Sequence, residues 1–179
     1  MSFIRRNTDI PVPTLYGAFE VDGSYFVIME YIEGVDMKSL TDDQKKVVEV
    51  ELHQHLATLR KLKSNTIGGP SGIVIPPYRV MRYSKHDLLP RRQSESDEFV
   101  FCHNDLSQPN IIVDPETLKI NAIIDWEYAG FWPEYFEGPF WGRYGPSVAI
   151  PHLKEKDDTP KLLQFLGLEE LYTWHSRKE

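Results

Sequence analysis

The sequence has a single cysteine, Cys102, in 179 residues. No internal disulfide can form, which excludes a small cross-linked secreted scaffold. The setting Phe99-Val-Phe-Cys102 predicts a buried apolar side chain and not a reactive thiol. No apolar run reaches the roughly eighteen residues of a membrane helix, and Met1-Ser-Phe-Ile-Arg-Arg-Asn7 lacks the apolar centre of a signal peptide. A soluble, cytoplasmic protein with no membrane partner is expected. Basic residues are outnumbered, 20 against 27, for a net charge of −7. Phosphate-backbone binding needs concentrated basic surface, and the run Lys85-His-Asp-Leu-Leu-Pro-Arg-Arg92 is too dilute to supply it, so no nucleic-acid partner is expected. Lysine is missing altogether before Lys38, where Arg5 and Arg6 are the only cations, and no G-x-x-x-x-G-K-[ST] phosphate loop occurs. The densest glycine cluster, Gly68-Gly-Pro-Ser-Gly72, follows a helix and reads as a loop.

What is present suits one soluble domain: 41% hydrophobic and 26% charged residues, with no repeat or low-complexity tract. Residues 14–19 and 25–31 read as strands around the turn Val21-Asp-Gly-Ser24. Thr41 as N-cap, Gln44 three residues on, and the stripe Val48, Leu52, Leu56, Leu59 and Leu62 predict a helix that stops near Ser64-Asn65. His53 and His55 lie two apart on it, which turns them to different faces and excludes a helical metal pair. Residues 64–98 read as a long Pro/Gly-rich connection, either functional, disordered or both, or a plain surface loop with no chemistry. Phe131–Trp141 is dense in aromatics and predicts packing more than ligand caging. Pro160 with Leu162, Leu163, Phe165, Leu166, Leu168 and Leu171, interrupted by Gly167, predicts one or two short tail helices.

The chemistry is concentrated in His103-Asn-Asp105-Leu106-Ser-Gln-Pro-Asn110, which reads H-x-D-L-x-x-x-N, with Asp125-Trp-Glu127 beginning fifteen residues after Asn110. Asn110-Ile-Ile-Val-Asp114 and Lys119-Ile-Asn-Ala-Ile-Ile124 flank Pro115-Glu-Thr-Leu118 and predict an antiparallel hairpin. Such a hairpin returns the end of its second strand to the start of its first, which brings Asn110 and Asp125 together. One Asn carbonyl and one Asp carboxylate suit Mg²⁺, which leaves its remaining positions to phosphate oxygens and water. Asp105, on the loop ahead of the hairpin, is placed to face a substrate hydroxyl as base or orienter. The candidates are therefore His103 and Asp105 as catalytic residues, with Asn110 and Asp125 on the metal. The competing reading makes Asp105, Asn110 and Asp125 ordinary turn residues beside a hairpin. It accounts poorly for His, Asp, Leu and Asn at fixed offsets together with an Asp that closes an apolar strand.

With Ile123-Ile-Asp-Trp-Glu-Tyr-Ala-Gly130, this stretch resembles the catalytic and metal-binding motifs of the aminoglycoside phosphotransferase and choline kinase-like family. The Asp-Trp-Glu form, followed by Gly130-Phe-Trp-Pro-Glu-Tyr135, is most similar to the fungal branch of that family. Upstream, Ile10-Pro-Val-Pro-Thr-Leu-Tyr16 and Tyr25-Phe-Val-Ile-Met-Glu-Tyr-Ile-Glu-Gly34 resemble the strand entering the interlobe hinge and the hinge itself. The resemblance implies an α+β, protein-kinase-like fold: residual N-lobe strands and hinge over 1–34, then a mainly helical C-lobe with a catalytic hairpin over 35–179. It implies ATP and Mg²⁺ as cofactors, the backbone of Glu30, Tyr31 and Ile32 beside adenine, and a small-molecule hydroxyl as acceptor. A complete member also carries a phosphate-covering loop, a phosphate-binding Lys and a helix Glu that pairs with it. Those are missing here, so most of the N-lobe is expected to be absent and the strands of residues 10–32 to be open to a second copy or a partner chain. Three readings stay open: a phosphotransferase, a catalytically silent binding or scaffold protein, and an enzyme that uses Asp105 and Asp125 without nucleotide.

Overall fold

The computed structural model describes residues 1–84, 88–170 and 172. Lys85, His86 and Asp87 of the basic run, and Leu171 of the tail, lie outside the described residues. The chain mixes helices with small antiparallel sheets and divides into two compact units, one of residues 1–61 and 108–126, the other of residues 62–107 and 127–179.

The first unit begins with helix α1 (Ser2–Asn7) and the hairpin of β1 (Leu15–Val21) and β2 (Ser24–Met29). Asp22 and Gly23 form its turn at φ +50° and +76°. Two left-handed residues in succession match the twist of the flanking strands, which is why Asp-Gly occupies this site. Strand β3 (Val35–Asp36) leads into a single turn at Met37–Ser39 and then helix α2 (Asp42–Leu59). The capping box is formed at both ends: the Thr41 hydroxyl accepts from Gln44 N, and Gln44 Oε1 accepts from Thr41 N at 3.0 Å. Val48, Leu52, Leu56 and Leu59 are buried as the periodicity requires. His53 is exposed, while His55 is half-buried with its Nε2 3.8 Å from Glu51. Burial holds its pKa below the usual imidazole value, against the opposing pull of Glu51.

Helix α2 ends at Leu59, earlier than the apolar stripe suggests. The reason is tertiary: β4 (Lys63–Ser64) pairs with β5 (Phe99–Cys102), and Phe101 N donates to Leu62 O at 3.2 Å, so these residues are taken by a sheet. In the first unit β3 also pairs with β6 (Ile111–Val113), which pairs with β7 (Ile120–Ile123). Gly34, just before β3, has φ +139°, and a Cβ there would sit 2.6 Å from Val113 O. No side chain fits at that crossing.

The second unit holds β4, the short helix α3 (Tyr78–Met81), β5, β8 (Gly130–Trp132) and helix α4 (Thr159–Leu166), with sheet order β4-β5-β8. Its core gathers Ile67, Val80, Phe99, Cys102, Trp132, Phe136 and Leu162. Trp132 and Phe136 stack at 4.9 Å, and Phe165 of α4 meets Phe136 edge-on at 5.5 Å, so the aromatic-rich segment is packing material as expected. Gly130 is a close-approach residue, since a Cβ there would lie 2.7 Å from Gly68 C and O. Residues 64–98 carry more structure than the composition suggests: α3, the turn in which Gly72 N donates to Gly69 O, and bridges from Thr66 to Gln93 and from Gly68 to Phe131.

Candidate active site

The hairpin forms in the expected place. Ile111 pairs with Ile123 and Ile112 with Ala122, and beyond them Ile124 N donates to Asn110 O at 3.0 Å. Asn110 and the residue before Asp125 are thus joined across the open end of the hairpin. At its closed end the Asp114 carboxylate accepts from Glu116 N at 2.8 Å and Thr117 N at 3.2 Å, and these hydrogen bonds hold its pKa below the usual carboxylate range. Asp125 is exposed with φ +64°, a left-handed conformation that Asp tolerates better than most residues. The Trp126 indole, 9% exposed, donates to Ile123 O at 2.8 Å and pins the backbone on either side of Asp125. Held strain of this kind clusters at functional positions. The hairpin mouth thus brings together the backbones of two residues whose side chains carry oxygen donors, one of them anionic. Among the described residues no group of three or more His, Cys, Asp or Glu forms a self-contained metal cage.

The loop after β5 belongs to the second unit. His103 is fully buried, and its Nδ1 accepts from Asp105 N at 3.2 Å. Asn104 is 1% exposed and also left-handed, at φ +69°, with Nδ2 donating to Tyr128 O at 2.9 Å. The backbone N–H groups of His103 and Asn104 both point at the Glu137 carboxylate, the second at 3.2 Å from Oε1. Asp105 is half-buried, and its carbonyl accepts from Ser107 N at 2.9 Å. The motif is therefore shared, with His103 and Asp105 in the second unit and Asn110 and Asp125 in the first.

Of the hinge residues, Glu30 N donates to Thr14 O at 2.8 Å, and the Glu30 carboxylate accepts from Thr14 Oγ1 at 2.6 Å and Thr14 N at 2.9 Å. Those bonds hold its pKa below the usual range, with Arg5, 3.7 Å away, adding to them. Tyr31 is 84% exposed. Ile32 is half-buried. Glu127, a candidate orienting or capping group, is exposed.

Sequence reasoning passed over three residues of the second unit. Arg79, on α3, is 1% exposed and donates through Nε to Asp158 at 3.1 and 3.0 Å, through Nη1 to Asn104 O at 3.2 Å and through Nη2 to Phe136 O at 2.6 Å. Glu137 holds the two loop amides, and Asp158 is the N-cap of α4. The available signal was one of cost: charges placed among Val80, Phe136 and Phe140 must find partners. A cavity of about 400 Å³ opens beside them, walled by Tyr135, Glu137, Phe140, Arg143, Glu155 and Asp158 among others. Hydrogen bonds from Arg143 lead the causes that hold the Glu155 carboxyl low, and burial pushes the Tyr135 hydroxyl up.

Residues 75–137 match the family model described as "Phosphotransferase enzyme family". Streptomycin 3''-kinase of Streptomyces griseus is 38% identical over 52 residues, 29% of this chain and 19% of that protein. Probable choline kinase 3 of Arabidopsis thaliana is 47% identical over 47 residues, 26% of this chain and 13% of that protein. The aligned part thus spans under a fifth of either relative. Among solved structures, an aminoglycoside-3'-phosphotransferase of type VIII superposes with TM-score 0.54 at 16% identity, over 75% of this chain and 57% of the other. A thermostable mutant of aminoglycoside phosphotransferase, in ternary complex with ADP and hygromycin B, superposes with TM-score 0.51 at 13% identity, over 75% and 57%. The chain is thus similar over residues 75–137 to the phosphotransferase enzyme family and, over stretches of about fifty residues, to an aminoglycoside kinase and a choline kinase, and its fold is that of the aminoglycoside phosphotransferases, which is protein-kinase-like.

Proposed function

We propose that this chain carries the catalytic segment of a phosphotransferase that moves a phosphoryl group from ATP to the hydroxyl of a small molecule in the cytoplasm. The observation that carries the reading is the hairpin mouth, where Ile124 N bonds Asn110 O and a left-handed Asp125 follows. In this reading Asn110 and Asp125 hold Mg²⁺. The metal, when bound, supplies charge neutralisation on the phosphate oxygens. Asp105 orients the acceptor hydroxyl and takes its proton, and His103 fixes the loop by accepting from Asp105 N. The backbone of Glu30, Tyr31 and Ile32 lies along the adenine. Residues 1–34 are the hinge and residual N-lobe strands, and residues 35–179 the C-lobe. The acceptor enters the cavity beside Glu137, a residue that already contacts the catalytic loop.

A second reading, a silent binding protein, draws on the commitment of Arg5 to Val12 O at 2.8 Å. Phosphoryl transfer depends on positioning and charge neutralisation. Calorimetric titration of ATP with Mg²⁺ into wild type and Asp125→Ala tests the first reading. It expects weak heat in the wild type that the variant loses; equal heats in the two proteins remove the metal role from Asp125.

A further inference from the structure

The peptide between Asn104 and Asp105 is held at both ends. Its N–H, on Asp105, donates to His103 Nδ1 at 3.2 Å, and its C=O, on Asn104, accepts from Arg79 Nη1 at 3.2 Å. A peptide unit is planar, so fixing both polar groups fixes the plane and the Asp105 N–Cα bond; with the next peptide held by Ser107 N on Asp105 O at 2.9 Å, the direction in which the Asp105 side chain leaves the backbone is set. The need for such a brace is local. Asn104 sits at φ +69°, a conformation that persists only where its surroundings over-determine it.

We propose that Arg79 is a positioning residue for Asp105, acting through the Asn104–Asp105 peptide, and that Asp158 extends this support to helix α4. The assignment rests on the phosphotransferase reading above for what Asp105 does, and on the hydrogen bonds alone for how it is held. Arg79 spreads its donors over three acceptors from separate segments: the Asp158 carboxylate, Asn104 O and Phe136 O. The last is the carbonyl of the residue before Glu137, whose carboxylate receives the His103 and Asn104 amides. Arg79 therefore ties the carbonyl side of the loop to the residue that ties its amide side. The planar fork of a guanidinium serves this purpose, and a lysine ammonium has neither the reach nor the angles. The Phe140 ring lies 5.1 Å from the guanidinium carbon and closes the site over it.

The test compares Arg79→Lys, Arg79→Met and Asp158→Asn with Arg92→Met, which removes another cation bound to α4, through Phe165 O and Leu166 O, without touching the loop. Amide exchange of residues 103–105 is read against that of Phe99–Cys102, and turnover is measured with ATP and Mg²⁺. Both Arg79 variants should speed exchange at residues 103–105 by about tenfold or more relative to β5, Asp158→Asn by less, and Arg92→Met not at all. Where turnover is measurable, Arg79→Lys should lower kcat on the order of 10²-fold with nucleotide KM unchanged, because misplacement near the reacting groups acts on the chemical step. Unchanged loop exchange in a folded Arg79→Lys or Asp158→Asn protein overturns the proposal. So does an equal effect of Arg92→Met. A wild type without turnover sinks the phosphotransferase reading and leaves the exchange comparison to decide the brace.

Discussion

Replacing Arg79 with Met keeps most of the side-chain volume and removes the guanidinium. Two backbone carbonyls, Asn104 O and Phe136 O, lose a buried donor, and an unsatisfied buried acceptor costs about 1–3 kcal/mol. Asp158 loses its counterion but keeps 29% side-chain exposure, so water replaces part of what is lost and its share is small. The sum is about 2–6 kcal/mol, which brackets the roughly 3–5 kcal/mol found when one partner of a buried ion pair is removed. That is a large part of the roughly 5–15 kcal/mol that holds a domain together. Urea unfolding should show the loss as a lower midpoint with an unchanged slope. Arg92→Met is the comparison: Arg92 is exposed and its bonds at 2.6 Å to Phe165 O and Leu166 O lie near the surface, so it should cost under about 1 kcal/mol. A cycle with Asp158→Asn should return a smaller coupling, about 0.5–1 kcal/mol. If Arg79→Met costs no more than Arg92→Met, or if the coupling is nil, the guanidinium is not holding these segments and the reasoning fails.

Asp105→Asn, nearly isosteric, should leave folding intact and lower any phosphotransfer or ATP hydrolysis by about 10²–10⁴-fold; unchanged turnover in the folded variant would move the chemistry elsewhere. The Asp114 pKa is depressed by the Glu116 and Thr117 amides, so its stabilisation is full above the unfolded pKa and is lost as pH falls through the folded one. Asp114→Asn should therefore flatten the acid limb of a stability–pH curve, and an unaltered limb would count against that turn. In the β1–β2 hairpin Tyr16 is 68%, Tyr25 81%, Val27 56% and Ile28 52% exposed, so strand addition between copies, or with a partner chain, is expected through residues 10–32. Light scattering over a concentration series checks this, with a monodisperse monomer at high concentration as the contrary result.

How far the sequence could be read follows the range of the interactions. Helix α2 was legible because its determinants lie within a few residues of each other: Thr41 with Gln44 at one end, and Val48, Leu52, Leu56 and Leu59 at a regular spacing. The β6–β7 hairpin was legible for the same reason, with the turn at Asp114 and two β-branched runs flanking Pro115–Leu118. Where α2 stops was not, because Lys63 and Ser64 pair with Val100 and Phe99, and nothing near residue 60 announces strands that far ahead. The three-stranded sheet β4-β5-β8 escaped notice on the same grounds. Helix α3 has four residues behind two prolines, too short for a periodic signal, and it carries Arg79.

The candidate site divides along the same line, and that has a consequence for reading related chains. The groups proposed to do chemistry, Asp105, Asn110 and Asp125, lie close together in sequence, on one loop and at the mouth of one hairpin. Two residues in that region, Asn104 and Asp125, are left-handed, and each is held by different means. Asp125 is stabilised locally by the Trp126 indole on Ile123 O, so its support travels with the motif. Asn104 is stabilised by Arg79, Glu137 and Tyr128, from segments 24 to 33 residues away in sequence. Arg79 in turn is paired with Asp158, which is 79 residues from it and beyond the 75–137 stretch that matches the phosphotransferase family. On the proposed reading, a chain that keeps the motif but lacks a carboxylate at the start of its tail helix would keep the equivalents of Asn110 and Asp125 and lose the fixed direction of its Asp105 equivalent. On that reading, possession of the motif and competence for transfer are separable properties, and the tail is where they part.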